Sequence, residues 1–196
     1  MPLDSVVRRL ISESLAPLKA SFDNSVADTH SPVPEIRWVK SENWHVTLAF
    51  LGQVSEEKAS YIKKLLVSCL STTKSFEAEL STIRGFPYPN SRIIAAVFTN
   101  NEAFQRLYGQ VQDMCQIAGL RQDPRAFKPH ITLARTKNPA DYKNNSRHER
   151  KLRRSFGMPC LQLDTEITLD RVRLYESHLR PEGSSYETLA EILLAT

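Results

Sequence analysis

His45-Val46-Thr47-Leu48-Ala49 recurs 85 residues later, with one conservative change, as His130-Ile131-Thr132-Leu133-Ala134. Both pentads read as strands. Side chains alternate along a strand, so His45 with Thr47, and His130 with Thr132, each present an imidazole and a hydroxyl on one face. Val46, Leu48, Ile131 and Leu133 then point to the core. A single His-x-Thr is usually structural, because threonine is simply a good strand former. Two copies, each on a strand preceded by a helix, read instead as a duplicated unit: two lobes related by approximate two-fold symmetry.

Outward from the pentads, helices and strands mix. Leu3, Val6, Val7, Leu10, Ile11 and Leu18 recur at helical spacing behind an Asp4 or Ser5 cap, predicting a helix over about 4–20 that Pro17 ends early. Ser21 to Pro34 reads as a loop, and Ile36–Val39 and Trp44–Leu51 as strands. Ser55 caps a second helix whose stripe is Ile62, Leu65, Leu66, Cys69 and Leu70. Phe76 to Leu80 alternates as a half-buried strand, a Gly85/Pro87/Pro89 turn follows, and Arg92–Phe98 reads as a buried strand. Phe104 to Ala118 forms a third helical stripe stopped by Gly119. Further strands are expected over Pro129–Arg135, Ile167–Tyr175 and Tyr186–Leu194. Turn-length connections between several neighbouring strands make the class α+β with largely antiparallel sheet.

At 196 residues, with 41% hydrophobic and 24% charged residues, the chain can bury a core and matches neither a disordered nor a fibrous composition. No apolar run approaches a bilayer span, and residues 1–14 lack the pattern of a signal peptide. Cys69, Cys115 and Cys160 are odd in number and widely spaced, which suits a reducing compartment, with the cytoplasm as the expected location. The net charge of +4 is local. Residues 121–154 carry eleven Lys and Arg against three Asp and Glu, and the rest of the chain carries fifteen against nineteen. Such runs are usually solvated loops. Beside a phosphate site, Arg150, Lys151, Arg153 and Arg154 read better as a track for RNA backbone.

If the two pentads meet across a groove, two histidines and two threonines converge there. In-line displacement at phosphorus needs a base on the entering oxygen and an acid on the leaving one, and histidine serves as either near neutrality. Threonine hydroxyls can donate to the non-bridging oxygens, and Arg135 can add a cationic clamp. The chain has no HExxH, paired CxxC or P-loop, so metal hydrolysis and nucleotide-driven ligation lack support. His30, His148 and His178 read as surface residues.

His45-Val-Thr-Leu-Ala-Phe-Leu-Gly and His130-Ile-Thr-Leu-Ala-Arg resemble the paired motifs of the 2H phosphoesterase superfamily, and most closely the RNA 2′,3′-cyclic phosphodiesterases once called 2′-5′ RNA ligases. Arg37-Trp38-Val39, Glu42-Asn43, Gly85-Phe86-Pro87, Arg92, Pro129, Glu176-Ser177-x-Leu179, Gly183 and Tyr186 extend the match from about residue 3 to the C-terminus. The resemblance implies a single bilobal domain over 1–196, with two antiparallel sheets flanked by helices around a cleft and a long basic loop at about 136–154. It further implies opening of a 2′,3′-cyclic phosphate to a monoester without metal or other cofactor, on RNA ends or cyclic nucleotides. Carried over by residue, His45 is the general acid, His130 the general base, Thr47, Thr132 and Arg135 hold phosphate, and Phe50 lies against the base. Phe50 has the opposite strand parity from His45, so it reaches the cleft only where the strand twists or ends; a core aromatic beside Leu48 is the other reading. Family chains begin with a strand of the Arg-Leu-Phe-Val-Ala kind, and here Met1-Pro2-Leu3-Asp4 leads almost directly into the helix, so an unpaired sheet edge is expected. The Ser21–Pro34 and Thr136–Arg154 loops are long for the family. A monomer without membrane attachment is expected. The alternatives are an RNA-end binding module of the same fold with little turnover, and a 2′,5′-oligonucleotide phosphodiesterase.

Overall fold

A computed structural model describes residues 1–26, 36–89, 91–136, 160–180 and 183–196. The first helix, α1, runs Ser5–Val26, with Asp4 Oδ1 accepting from the Val7 amide at 2.8 Å as its cap. It continues through Pro17 and into the stretch expected to be loop. A proline inside a helix costs about 3 kcal/mol. Against this, Val7, Ile11, Leu15, Leu18 and Phe22 are all buried along one stripe, each worth roughly 1.5–3 kcal/mol. The stripe wins, with Pro17 on the exposed side.

Five strands form one antiparallel sheet in the order β1-β4-β3-β2-β5: β1 Ile36–Trp38, β2 Phe76–Phe86, β3 Ile93–Phe98, β4 His130–Thr136 and β5 Leu161–Leu169. A second sheet pairs β6 Arg171–Arg180 with β7 Gly183–Leu193. Helices α2, Glu56–Leu70, and α3, Glu102–Ile117, start on the side-chain caps Ser55 and Asn101. Their buried stripes, that of α1 and both sheets contribute to one apolar cluster that includes Ile11, Ile62, Leu80, Phe104, Leu133, Val172 and Ile192. The expected α+β architecture, antiparallel sheets with flanking helices, is the observed one.

Several sequence expectations need correction. The strand expected over Trp44–Leu51 is reduced to two isolated bridges, Pro2 with His45 and Val46 with Ile131. Beyond Val46 the chain turns away from any ladder. The single strand expected over Ile167–Tyr175 is two, broken at Asp170, where β5 leaves the large sheet and β6 enters the small one. Gly85 does not begin a turn but lies within β2, which runs on to Phe86. No strand precedes α1 among the described residues, yet the edge expected to be bare is covered. The Met1 ammonium donates to the Val46 carbonyl at 2.6 Å, and the Val46 amide returns a bond to the Met1 carbonyl at 2.9 Å. Most of the expected basic loop, with Arg150, Lys151, Arg153 and Arg154, lies outside the described residues.

Candidate active site

One backbone bridge brings the two pentads together. Val46 pairs antiparallel with Ile131, which sets position 45 across from 132 and position 47 across from 130. A two-fold axis through that bridge carries His45 onto His130 and Thr47 onto Thr132. It also relates the outer neighbours, Pro2 beside His45 and Val97 beside His130. The core face follows the sequence: Val46, Leu48, Ile131 and Leu133 are buried, and His45, Thr47, His130 and Thr132 are partly open.

The symmetry extends to the hydrogen bonds that orient the rings. His45 Nδ1 lies 2.7 Å from the Asn43 carbonyl and His130 Nδ1 lies 2.8 Å from the Lys128 carbonyl. A carbonyl only accepts, so each Nδ1–H donates, and in each neutral ring Nε2 keeps the lone pair available to a substrate. Asn43 is itself held, its Nδ2 donating to the Ser184 carbonyl at 2.9 Å.

Around the rings the symmetry ends. His130 stacks face to face on Phe86, with centroids 3.9 Å apart and planes 22° apart. His45 meets the edge of Tyr186 at 4.9 Å and a tilted Tyr175 at 5.6 Å. These three aromatics have no role in the sequence reading, although Phe86 and Tyr186 stand in its resemblance. Phe86 is positioned by a turn that closes on a glycine: a Cβ on Gly85 would lie 2.2 Å from the Pro89 carbonyl oxygen.

Both imidazoles are harder to protonate than an exposed histidine. Burial pushes His45 from 6.5 down to about 4, helped by the nearby N-terminal ammonium and opposed by the bond to Asn43. Burial also lowers His130, less strongly, with the Lys128 carbonyl opposing and the Arg135 charge assisting.

Arg135 reaches the cleft through an irregularity in β4. Strict alternation from His130 and Thr132 would leave Arg135 on the opposite face. On β3, however, Ile94 and Ala95 are consecutive, and their partners on β4 are Ala134 and Thr132. Leu133 is thus an extra residue, a bulge that reverses the parity beyond it. Leu133 and Ala134 are both buried, and Arg135 is exposed on the cleft. Phe50 has a related history: past the Val46 bridge there is no ladder to impose alternation, and the ring is 78% exposed on the cleft rather than packed beside Leu48. His45, Thr47, Phe50, His130, Thr132 and Arg135 all line this one cleft of about 1600 Å³. Among the described residues, the donor atoms that converge as metal ligands would are those of Glu176, His178 and Glu187. By strand parity they lie on the face of the β6–β7 ribbon opposite Tyr175 and Tyr186.

Two partly buried histidines related by register about one bridge, each with a threonine two residues on, are suited to act from opposite sides of one atom. Acid–base catalysis with in-line displacement requires such an arrangement. Comparison with known proteins agrees with this architecture. An RNA 2′,3′-cyclic phosphodiesterase of Thermotoga maritima is 32% identical over 158 residues, covering 79% of this chain and 77% of the relative. One of Aeropyrum pernix is 31% identical over 182 residues, covering 90% and 95%. Among solved structures, TT0787 of Thermus thermophilus superposes with a TM-score of 0.66 at 25% identity over 91% of this chain and 92% of that one. E. coli LigT complexed with 3′-AMP superposes with a TM-score of 0.70 at 22% identity over 100% and 95%, a likeness of fold. A family model matches residues 36–180, a span that includes both pentads, Arg37, Phe86 and Arg135, and by that match the chain belongs to the 2′-5′ RNA ligase superfamily.

Proposed function

We propose that this protein is a hydrolase that opens 2′,3′-cyclic phosphate at RNA ends, and in cyclic nucleotides, to a phosphomonoester without a metal ion. The observation that carries the reading is the two-fold placement of His45 and His130 about the Val46–Ile131 bridge, each ring fixed through Nδ1 to a backbone carbonyl. The names of the relatives, RNA 2′,3′-cyclic phosphodiesterases, supply the substrate class.

With the phosphorus near the axis, His130 Nε2 takes a proton from water as the water oxygen bonds to phosphorus. The opposite phosphorus–oxygen bond breaks, and His45 gives its proton to the departing ribose oxygen. This division follows the environments. Two groups whose surroundings push their pKa values apart separate into acid and base. The more depressed, His45, is the stronger acid when protonated, and the phosphate anion between the rings favours that proton. Thr47 and Thr132 donate to the non-bridging oxygens, Arg135 adds positive charge on the same face, and Phe50 offers its exposed ring to the base. From the sequence alone, Arg150, Lys151, Arg153 and Arg154 are read as further basic contacts for RNA. No helix among the described residues is long and apolar enough to cross a membrane. Free Cys69, Cys115 and Cys160 suit a reducing compartment, and the protein is read as a monomer of the cytoplasm.

The test is to incubate the protein with EDTA and either 2′,3′-cyclic AMP or a 2′,5′-linked dinucleotide, beside His45→Ala and His130→Ala. Turnover of the cyclic substrate that falls at least ~100-fold in each variant is expected. Full activity in either variant, or loss of activity in EDTA, refutes the mechanism. Preference for the dinucleotide makes the protein a 2′,5′-phosphodiesterase, and tight binding of a 3′-phosphorylated oligonucleotide without product makes it a binding module.

A further inference from the structure

The fifth residue after each motif histidine breaks the symmetry of the cleft. By count from the motif histidines Phe50 corresponds to Arg135, and both line the cleft, one aromatic and the other cationic. The cationic one is doubled. In the β1–β4 ladder Arg37 is the direct partner of Arg135, and opposed residues of an antiparallel pair share a face with Cβ atoms about 5 Å apart. Like charges so placed repel. Neither guanidinium has a carboxylate partner among the described residues. Both are exposed and both line the cleft.

Backbone distance separates Arg37 from the histidines. From Ile131 to Arg135 there are three regular strand steps once the bulged Leu133 is discounted, roughly 10 Å, and Arg37 lies one strand across. A phosphate already addressed by His45, His130, Thr47, Thr132 and Arg135 leaves Arg37 over for another anion. The cleft agrees in size: about 1600 Å³ exceeds the roughly 300–1,000 Å³ of a small-ligand pocket. Beyond Thr136 the chain continues into its most basic segment.

We propose that Arg37, directly across from Arg135, binds the phosphodiester adjoining the cyclic end, so that the cleft holds a polynucleotide with its terminal base toward Phe50 and its chain leaving over the two arginines. This rests on the reading of the cleft as a cyclic-phosphate site. Arginine suits the task because its planar fork meets a phosphate with two hydrogen bonds. A cyclic mononucleotide has no such phosphodiester and gains nothing from Arg37.

The experiment compares Arg37→Gln and Arg37→Lys with the parent on two substrates, a trinucleotide ending in 2′,3′-cyclic phosphate and 2′,3′-cyclic AMP. In Arg37→Gln, KM for the trinucleotide is expected to rise about tenfold with kcat unchanged, while kcat/KM for cyclic AMP stays within twofold. The slope of log affinity against log salt for the trinucleotide should fall by about 0.7, one phosphate contact on a single strand. Arg37→Lys should show a smaller rise on the trinucleotide alone, and it carries the test if Arg37→Gln does not fold. Equal losses on both substrates, or no loss on the trinucleotide, overturn the proposal. If the parent turns over neither substrate, the catalytic reading has failed by itself. Arg37 is then judged by binding of a 3′-phosphorylated trinucleotide against 3′-AMP: a tenfold loss confined to the trinucleotide supports it, and an equal or absent loss refutes it.

Discussion

Acidification should destabilise this fold through His45, by an amount that follows from its burial. The imidazole is lowered from 6.5 to about 4, so between those values the unfolded chain binds a proton that the native state refuses. Stability therefore rises with pH through that window and is lost as pH falls. At about 1.4 kcal/mol per pKa unit, complete protonation costs the native state about 3 kcal/mol, of which about 2 kcal/mol is lost already at pH 5. For a chain of this size that corresponds to a fall in Tm of roughly 4–8 °C. The Met1 amine and His130 are lowered in the same direction, so the parent protein should lose more than this in total. Urea denaturation at pH 7.5 and pH 5 for the parent and for His45→Gln isolates the share of His45, since the glutamine amide can still donate toward the Asn43 carbonyl. The parent should lose about 2 kcal/mol more than the variant over this interval. Parallel losses in the two proteins would refute the burial argument and, with it, the assignment of His45 as the stronger acid.

The same depressions shape the kinetics: kcat/KM should peak on the acid side of pH 6.5 and decline tenfold per pH unit well above the peak, as a rate profile on a cyclic mononucleotide would read. Gly85→Ala sets a methyl group 2.2 Å from the Pro89 carbonyl oxygen, backbone that cannot yield cheaply. It should cost about 1–3 kcal/mol in urea denaturation and reduce turnover by displacing Phe86 from His130. Phe50→Ala, at a position 78% exposed, should leave stability within about 0.5 kcal/mol. It should raise KM by about 5- to 150-fold, the equivalent of about 1–3 kcal/mol of base stacking. Replacing Arg150, Lys151, Arg153 and Arg154 together by Gln should flatten the salt dependence of RNA binding and spare cyclic AMP turnover. Equal effects on both would make that segment plain solvated surface.

What the sequence could reveal depended on how local the cause was. The His-x-Thr faces were legible because period-two alternation is a property of four or five residues, and the burial of Val46, Leu48, Ile131 and Leu133 matches it. The cap at Ser55 and the stop at Gly119, whose φ is +62°, are equally local. Arg135 was named from its place just after the second pentad, but the bulge that brings it to the cleft was not legible. The bulge at Leu133 lies between apolar neighbours, and nothing in Thr-Leu-Ala-Arg says that two successive residues face one partner. The environment of His45 was hidden for a different reason, since Tyr175 and Tyr186 come from a ribbon more than a hundred residues away. The strand β5 alternates as Leu161, Leu163, Ile167 and Leu169, and the break at Asp170 shows in the sequence only as a change of phase, from Ile167 and Leu169 to Val172 and Leu174.

The axis through Val46 and Ile131 has a consequence for regiochemistry. A ribose 2′,3′-cyclic phosphate has two candidate leaving oxygens on adjacent carbons, and groups related by a two-fold rotation meet either with the same imidazole-and-hydroxyl set. The histidines and threonines alone thus have no handedness with which to choose between the 2′- and the 3′-phosphate isomer. Direction enters only where the halves differ, at Phe50 against Arg135 and at Phe86 against the tyrosine pair. On the proposed mechanism the isomer produced is then a property of the rim of the cleft, and exchanging rim residues should alter it without touching His45 or His130.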